Sequence, residues 1–266
     1  TASVSGDGDP EISIAGGPWV TSGMITAGQS LAVRLLSGAG GEVRIATVTI
    51  GGIAADWNVT TLADFLVSWG QDTHGQVSDT PAGNDFVAVA AGYQHSIALR
   101  SDGSIVSWGR DTYGQVSNTP VGNDFVAVAG GYYHSLALRS DGSIVSWGLD
   151  NYGQVSDTPV GNDFVSVAGG GNHSLALRSD GSIVSWGRDN YGQVSGTPAG
   201  NDFAAVAGGG LHSLALRSDG SIVSWGRDNY GQVSGTPVGN DFVFVAAGNS
   251  HSLALRSDGS IVSWGY

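Results

Sequence analysis

The chain has 266 residues and no cysteine, which excludes disulfides, thiolate metal sites and cysteine nucleophiles. Its 44 glycines argue against long helices, because an interior glycine costs about 1 kcal/mol in a helix. The formal net charge of −13 argues against generic binding to nucleic acid or to an anionic membrane, since both need basic patches.

The first part of the chain, residues 1–61, carries short strand patterns between glycine-rich turns. The predicted strands are Glu11–Ile14, Ser30–Arg34, Val43–Ile50 and Trp57–Thr61. The segment resembles the later part of small immunoglobulin-like modules that occur in tandem on bacterial surface proteins. A complete sandwich of this type has about 100 residues. We therefore expect a partial immunoglobulin-like module, cut from a longer, exported protein.

The second part, residues 62–266, is one unit repeated. Ser-Trp-Gly first occurs at Ser68 and recurs every 39 residues, the last copy starting at Ser263. His-Ser, Ser-Asp-Gly-Ser and Gly-Gln-Val-Ser recur with the same period. A fixed period of this length indicates a repeat architecture, in which each unit buries its apolar surface against its neighbours.

Each unit reads as four short antiparallel strands. Phe125–Ala129 is a continuous apolar run, and His134–Arg139 alternates with period 2. Asp141-Gly142 predicts a hairpin with a type I′ turn leading into the third strand, Ile144–Trp147. Gln115–Ser117, from the preceding copy, represents a predicted short outer strand. Four-stranded units at this period, rich in turn glycines, are typical of a β-propeller. The fold class predicted is therefore all-β.

The stretch from Val89 to Gln115, VAAGYQHSIALRSDGSIVSWGRDTYGQ, resembles the repeat of the regulator-of-chromosome-condensation family of propellers. The short unit without insertions is most similar to bacterial members, which include a β-lactamase inhibitor. The resemblance implies a propeller that is typically seven-bladed and that binds proteins through one face.

The number of blades stays open. The first copy begins with a third strand, Phe65–Gly70, and a fourth, Gln76–Ser78, so the third strand occurs six times and the others five. Either five blades close with one strand left over, or the native chain continues past Tyr266 to six or seven blades. Closure removes exposed strand edges only when the strand counts match, which favours continuation.

Comparison of the copies with one another reveals a few variable positions. They lie between the first and second strands and in the loop after each Trp-Gly. In an up-and-down blade these two loops share one end, so they predict a single variable face on a rigid scaffold. Tyr and Arg, which are enriched in binding hot spots, recur on it. The predicted binding residues are Tyr93, Gln94, Arg110, Tyr113, Tyr132, Tyr133, Leu149, Tyr152, Asn172, Arg188, Tyr191, Leu211, Arg227 and Tyr230. Unconstrained drift of these loops is the alternative.

Catalytic and cofactor motifs are not indicated. Five identical His-Ser pairs point to a structural histidine, because a catalytic triad needs converging side chains and an orienting acid. The repeated Trp is expected in the core. One Asp per loop, as at Asp111, indicates loop capping, since calcium needs six to eight oxygens. Asp7 and Asp9 leave a weak calcium site open. We expect no cofactor, metal or enzymatic activity.

The function predicted is non-catalytic binding of a protein or glycan by a secreted or cell-surface bacterial protein. Two alternatives are a purely structural repeat in a surface adhesin and nucleotide exchange on a small GTPase. The latter is disfavoured because the blades lack insertions and the chain lacks lysine.

Overall fold

The computed structural model describes residues 66–266 in full and, within residues 1–65, the backbone of six strands. These strands are β1 (Ala2–Gly6), β2 (Pro10–Ile14), β3 (Ser22–Gly23), β4 (Leu31–Leu35), β5 (Val43–Ile50) and β6 (Ile53–Thr60). The chain divides into two compact units. One comprises residues 1–66 with 82–84, and the other residues 67–81 with 85–266.

The first unit contains two antiparallel sheets made from these strands. β3, β1, β5 and β6 form a four-stranded sheet in that order, and β2 pairs with β4. The four strands predicted from the sequence correspond to β2, β4, β5 and β6, whereas β1 and β3 were not predicted. Ser30, Thr61 and Phe65, which the sequence placed in strands, lie outside the described residues. The immunoglobulin-like resemblance stays a prediction.

The second unit consists of five three-stranded antiparallel sheets, which we number as blades 1 to 5. Blade 1 contains β7 (Phe86–Ala91), β8 (His95–Arg100) and β9 (Ile105–Gly109), and blade 2 contains β10 (Phe125–Gly130), β11 (His134–Arg139) and β12 (Ile144–Gly148). Blade 3 contains β13 (Phe164–Gly169), β14 (His173–Arg178) and β15 (Ile183–Gly187). Blade 4 contains β16 (Phe203–Gly208), β17 (His212–Arg217) and β18 (Ile222–Gly226), and blade 5 contains β19 (Phe242–Ala247), β20 (His251–Arg256) and β21 (Ile261–Gly265). The all-β propeller prediction is confirmed.

The predicted fourth strand is wrong. The Gln-Val-Ser segment forms turns in every copy. The backbone N–H of the residue after it donates a hydrogen bond to a carbonyl of the same loop. Asn118 N–H donates to Gly114 O at 3.2 Å, and Thr119 N–H donates to Val116 O at 3.1 Å. These bonds satisfy the backbone locally and leave nothing to pair with the third strand. Residues 66–70, predicted as a third strand, likewise carry no strand.

The hairpin between the second and third strands of each blade is confirmed, but its turn type differs from the prediction. Gly142 N–H donates to Arg139 O at 3.0 Å, and Arg139 N–H donates to Ser143 O at 2.9 Å. Ser140 and Asp141 are therefore the central residues, and Gly142 follows with φ +82°. This is a three-residue loop with a glycine in the left-handed region, which is the next commonest way to close a hairpin.

The hydrophobic core lies between successive blades. Leu136, Leu138 and Ile144 of blade 2 form one cluster with Phe164, Ala176 and Trp186 of blade 3. Equivalent residues form the cluster between each of the other consecutive pairs. Burying each large apolar side chain contributes about 1.5–3 kcal/mol, so stability comes from stacking of identical units. The expected core position of the repeated Trp is confirmed in blades 1 to 5, whereas Trp69 of the first, partial copy is 84% exposed.

A buried hydrogen bond also joins each blade to the next. The Nε2 atom of His134 lies 2.9 Å from Ser174 Oγ, and the bond recurs as His95–Ser135, His173–Ser213 and His212–Ser252. The structural role predicted for the histidine is confirmed, although the bond joins blades, not strands of one blade. His251 of blade 5 is exposed instead.

Within the described residues, no helix is both long and apolar enough to cross a membrane.

Candidate functional site

The two variable loops of each blade lie at the same end of the sheet. His134, where the second strand begins, pairs with Gly148, where the third strand ends. Leu149 N–H then donates to Tyr133 O at 2.8 Å, which ties one loop to the other. We call this surface the loop face; its segments are 92–94, 131–133, 170–172, 209–211, 248–250, and the loops 110–118, 149–157, 188–196 and 227–235.

A tyrosine cluster occupies the loop face over blades 1 and 2. The ring of Tyr93 lies 5.5 Å from that of Tyr132 and 5.9 Å from that of Tyr133, and Tyr113 lies 5.5 Å from Tyr133. The guanidinium of Arg110 lies 5.0 Å from the centre of the Tyr133 ring. Tyr93 is 62% exposed. Five of the predicted residues thus form one aromatic patch with an arginine at its edge.

Two further predicted residues, Gln94 and Asn172, support this surface. Arg110 Nη1 donates to Gln94 Oε1 at 2.6 Å, which holds the guanidinium near the tyrosines. Gln154 Nε2 donates to Asn172 Oδ1 at 3.3 Å, which links the two loops at that blade. Leu149 and Leu211 lie half-buried on the same face.

Tyr132 crosses the centre of the propeller. Its hydroxyl donates to Asn249 Oδ1, so a residue of blade 2 contacts blade 5. A cavity of about 360 Å³ lies at this axis and is lined mainly by the glycines that end the first strands. Burial, and then the neighbouring Tyr93 and Tyr133, raise the pKa of Tyr132 above its usual value. Tyr132 therefore serves the scaffold as well as the face.

Two glycines explain how this tyrosine fits. A Cβ at Gly171 would lie 3.0 Å from Tyr132 Cε2, and a Cβ at Gly210 would lie 2.7 Å from Tyr132 Oη. Small residues at two of the variable loop positions thus leave room for the large Tyr132 at a third, across the axis. Sequence comparison identified these positions as variable, but Gly171, Gly210 and Asn249 were not recognised as the surroundings of Tyr132.

A second strip of Tyr and Arg follows the rim of the loop face over blades 3 to 5. Arg188 lies 5.0 Å from the ring centre of Tyr152. Arg227 lies 5.3 Å from that of Tyr191 and 5.7 Å from that of Tyr230. Stacking of a guanidinium on an aromatic face contributes about 0.5–1 kcal/mol at exposed sites, so these side chains are partly ordered before any ligand arrives.

The loops that carry these residues are rigid. Asp228 Oδ1 accepts hydrogen bonds from Val233 N–H at 2.8 Å and Ser234 N–H at 2.9 Å. The Ser234 bond is the main reason that the pKa of Asp228 lies below its usual value. Asp111 caps its loop in the same way, which confirms the predicted capping role.

The opposite end of the blades carries uniform ion pairs. Arg139 Nη1 lies 2.6 Å from Asp124 Oδ2, and the pair recurs in each blade. Because the five copies are alike here, these arginines belong to the scaffold.

One variable position was missed by comparison of the copies. Phe244 stands where the other blades have Ala88, Ala127, Ser166 and Ala205, and it is 59% exposed. The signal is the change from a small side chain to a large aromatic one, since the other difference at this position, Ser166, is also small.

Among residues 66–266, no group of three or more His or acidic side chains is placed to hold a metal ion. Asp7 and Asp9 lie outside the described residues.

The model of the regulator of chromosome condensation (RCC1) repeat matches residues 86–115, 125–154, 164–193, 203–232 and 242–266, together more than half of the chain. The chain belongs to the RCC1 repeat family. Comparison with curated proteins gave no match.

Three of the solved structures that match come from eukaryotes. The ectodomain of the Physcomitrella patens receptor kinase CR4 is 23% identical with a TM-score of 0.64, covering 85% of this chain and 62% of that one. Human WBSCR16 is 21% identical with a TM-score of 0.57, covering 68% and 62%. Prp20p from Saccharomyces cerevisiae is 23% identical with a TM-score of 0.57, covering 68% and 57%. This chain thus spans about three-fifths of the length of each of these structures, and the likeness establishes the fold.

Proposed function

We propose that this chain is a non-catalytic binding module that presents its loop face to a protein partner, as part of a secreted or cell-surface bacterial protein. The observation that carries the proposal is the clustering of Tyr93, Tyr113, Tyr132, Tyr133 and Arg110, which form one patch on an otherwise repeated scaffold.

The composition of this patch supports a protein ligand. Tyr and Arg carry much of the binding energy in protein interfaces, because they bury large areas and still donate hydrogen bonds. The rigid loops reduce the conformational entropy lost on binding. Prp20p, a structure of the same fold, has been described with its binding to Gsp1p and histones, which supports a protein ligand over a glycan.

A structural repeat in an adhesin is the second candidate function, and the near-identity of the blades favours it. In a purely structural array the loop face would have no ligand, and substitutions there would leave every association of the protein unchanged.

The experiment compares two triple variants in capture from the native environment. The first variant is Tyr93→Ala, Arg110→Ala and Tyr113→Ala, which removes the patch and keeps Tyr132 as an axial residue. The control is Val121→Ser, Val160→Ser and Val238→Ser, which changes exposed side chains in the connections between blades. We expect a captured protein to lose at least tenfold in affinity for the first variant and to bind the control normally. Equal binding to both variants would contradict the proposal.

A further inference from the structure

In the loop that follows each Trp-Gly, an Arg at the first position and an Asp eight positions later never occur together. Where the first loop residue is Gln or Leu, the residue eight positions later is Asp; where it is Arg, that residue is Asn or Gly. The pairs are Gln71 with Asp79, Leu149 with Asp157, Arg110 with Asn118, Arg188 with Gly196 and Arg227 with Gly235. Wherever the loop gains a guanidinium, it therefore lacks this carboxylate.

The loop-face arginines have no acidic partner of their own. No carboxylate of the described residues lies within 4.0 Å of Arg110, Arg188 or Arg227, whereas the five arginines at the opposite end are all paired. The Nε atoms of Arg188 and Arg227 are moreover buried without a hydrogen-bond partner in this part of the chain. A buried Nε is out of reach of a ligand, so an external acceptor would bind the Nη atoms of these arginines, which have no hydrogen-bond partner among the described residues either.

Arg227 is the best placed of the three. It lies between the rings of Tyr191 and Tyr230, so it is flanked by two loops in which the Asp position is Gly. The two tyrosines leave the guanidinium partly ordered, and its planar array of donors matches a carboxylate.

We propose that the rim strip centred on Arg227 receives an acidic side chain from an extended segment of the partner protein, a proposal that rests on the binding function above. The protein's net charge of −13 repels densely charged polyanions such as nucleic acids. A single carboxylate avoids most of this repulsion, because charges more than about 8–10 Å away are screened at physiological salt. The flanking tyrosines then contact the apolar part of the same segment.

The first test is a titration of the full chain with a fluorescein-labelled decapeptide of alternating Glu and Gly. The matching Gln-Gly peptide is the neutral control. We expect the acidic peptide to bind at 50 mM salt, to weaken several-fold at 200 mM salt, and to bind at least fivefold more tightly than the neutral peptide. Equal binding of the two peptides would overturn the proposal.

Two substitutions at one position locate the site. Gly235→Asp restores the carboxylate that two other copies carry, and Gly235→Asn introduces a side chain of the same shape without charge. A Cβ at Gly235 would lie 2.5 Å from Gly231 O, so both substitutions shift the loop in the same way, and Gly235→Asn controls for that shift. We expect Gly235→Asp to lower the affinity for the acidic peptide at least fivefold relative to Gly235→Asn, and Arg227→Gln to lower it equally. If Arg227→Gln binds the acidic peptide as tightly as the unchanged chain, the site is not at Arg227.

Failure of the acidic-segment proposal can be distinguished from failure of the proposed binding function. If the acidic peptide does not bind while the tyrosine patch variant still loses a captured protein, the acidic-segment proposal is overturned and the binding face stands. A hyaluronan oligosaccharide, titrated in the same way, tests a glycan ligand. If Gly235→Asp weakens binding of the oligosaccharide and the acidic peptide does not bind, the strip recognises uronic acid and the protein-segment proposal is wrong.

Discussion

At the scale of single residues, Tyr132 joins the scaffold to the loop face. Its hydroxyl bonds to Asn249, and its ring lies over Gly171 and Gly210, where any side chain would intrude. The sequence presented these positions as independent variations between copies. In space they are neighbours, and a Cβ at either glycine would come within 3.0 Å of Tyr132.

We expect Tyr132→Phe to lower the free energy of unfolding by about 0.5–1.5 kcal/mol, because it removes one hydrogen bond and leaves Asn249 without this donor. Urea denaturation measures the change. Tyr93→Phe is the matched control, since the Tyr93 ring lies in the same cluster and its side chain is 62% exposed. A loss of stability that is equal in the two variants would show that the contact across the axis contributes nothing.

At the scale of elements, the interface between blades is the unit of stability. Leu175 is fully buried between blades 3 and 4 with Phe203 and Trp225, whereas the equivalent Leu253 of blade 5 is 38% exposed. Ile261 of blade 5 is also exposed, at 71%. The same repeat position is therefore buried in one blade and partly exposed in another. The difference comes from the neighbouring blade and not from the repeat sequence.

Leu175→Ala is expected to lower the free energy of unfolding by about 2–5 kcal/mol, because it removes apolar surface that folding had buried and leaves a cavity. Leu253→Ala, the same substitution at the same position of the repeat, is expected to cost less than half as much, because the side chain is already partly in water. Thermal and urea denaturation of both variants measure the difference. Equal costs would mean that blade 5 is covered in solution.

At the scale of the whole molecule, four buried histidines each form a hydrogen bond to the next blade. Burial lowers the pKa to about 4 for His95, His173 and His212 and to about 3 for His134. Neighbouring histidines lower the pKa of His134 further. The Nδ1 atoms of all four have no hydrogen-bond partner in the described part of the chain, so an added proton would find no acceptor.

This arrangement makes the protein sensitive to acid. Because the folded pKa lies below the unfolded value of about 6.5, the unfolded state binds more protons as the pH falls. The histidine contribution is complete above pH 6.5 and is lost progressively toward pH 4, at ~1.4 kcal/mol per pH unit for each histidine. Denaturation midpoints between pH 7 and pH 4 measure the slope.

His134→Gln is expected to reduce that slope by about one quarter, whatever its effect on stability at pH 7. His251→Gln is the matched control, because this histidine is exposed. An unchanged slope for His134→Gln would mean that the buried histidines do not cause the acid sensitivity.

Much of the fold was predictable because it is repeated. The 39-residue period, the apolar first strand and the alternating second strand each identify an element whose residues face their neighbours in a fixed way. The fourth strand was mispredicted because Gln115–Ser117 has a strand-like composition, yet bonds from Asn118 and Thr119 close the segment on itself. The turn type was mispredicted because Asp-Gly occurs in both two-residue and three-residue hairpins.

The sequence alone determined the repeat, the propeller class and the end of the blades at which the copies vary. These follow from local periodicity and from comparison of the copies, which need no coordinates. Only the tertiary structure decided which variable residues meet. It packs the edge of one ring of the Tyr113–Tyr133 pair against the other and places Arg110 over Tyr133. It carries Tyr132 over to Asn249, and it leaves Arg227 beside two tyrosines with no described carboxylate within 4.0 Å. The physical reason is that such contacts join residues from different blades, whose separation depends on how the blades pack around the axis.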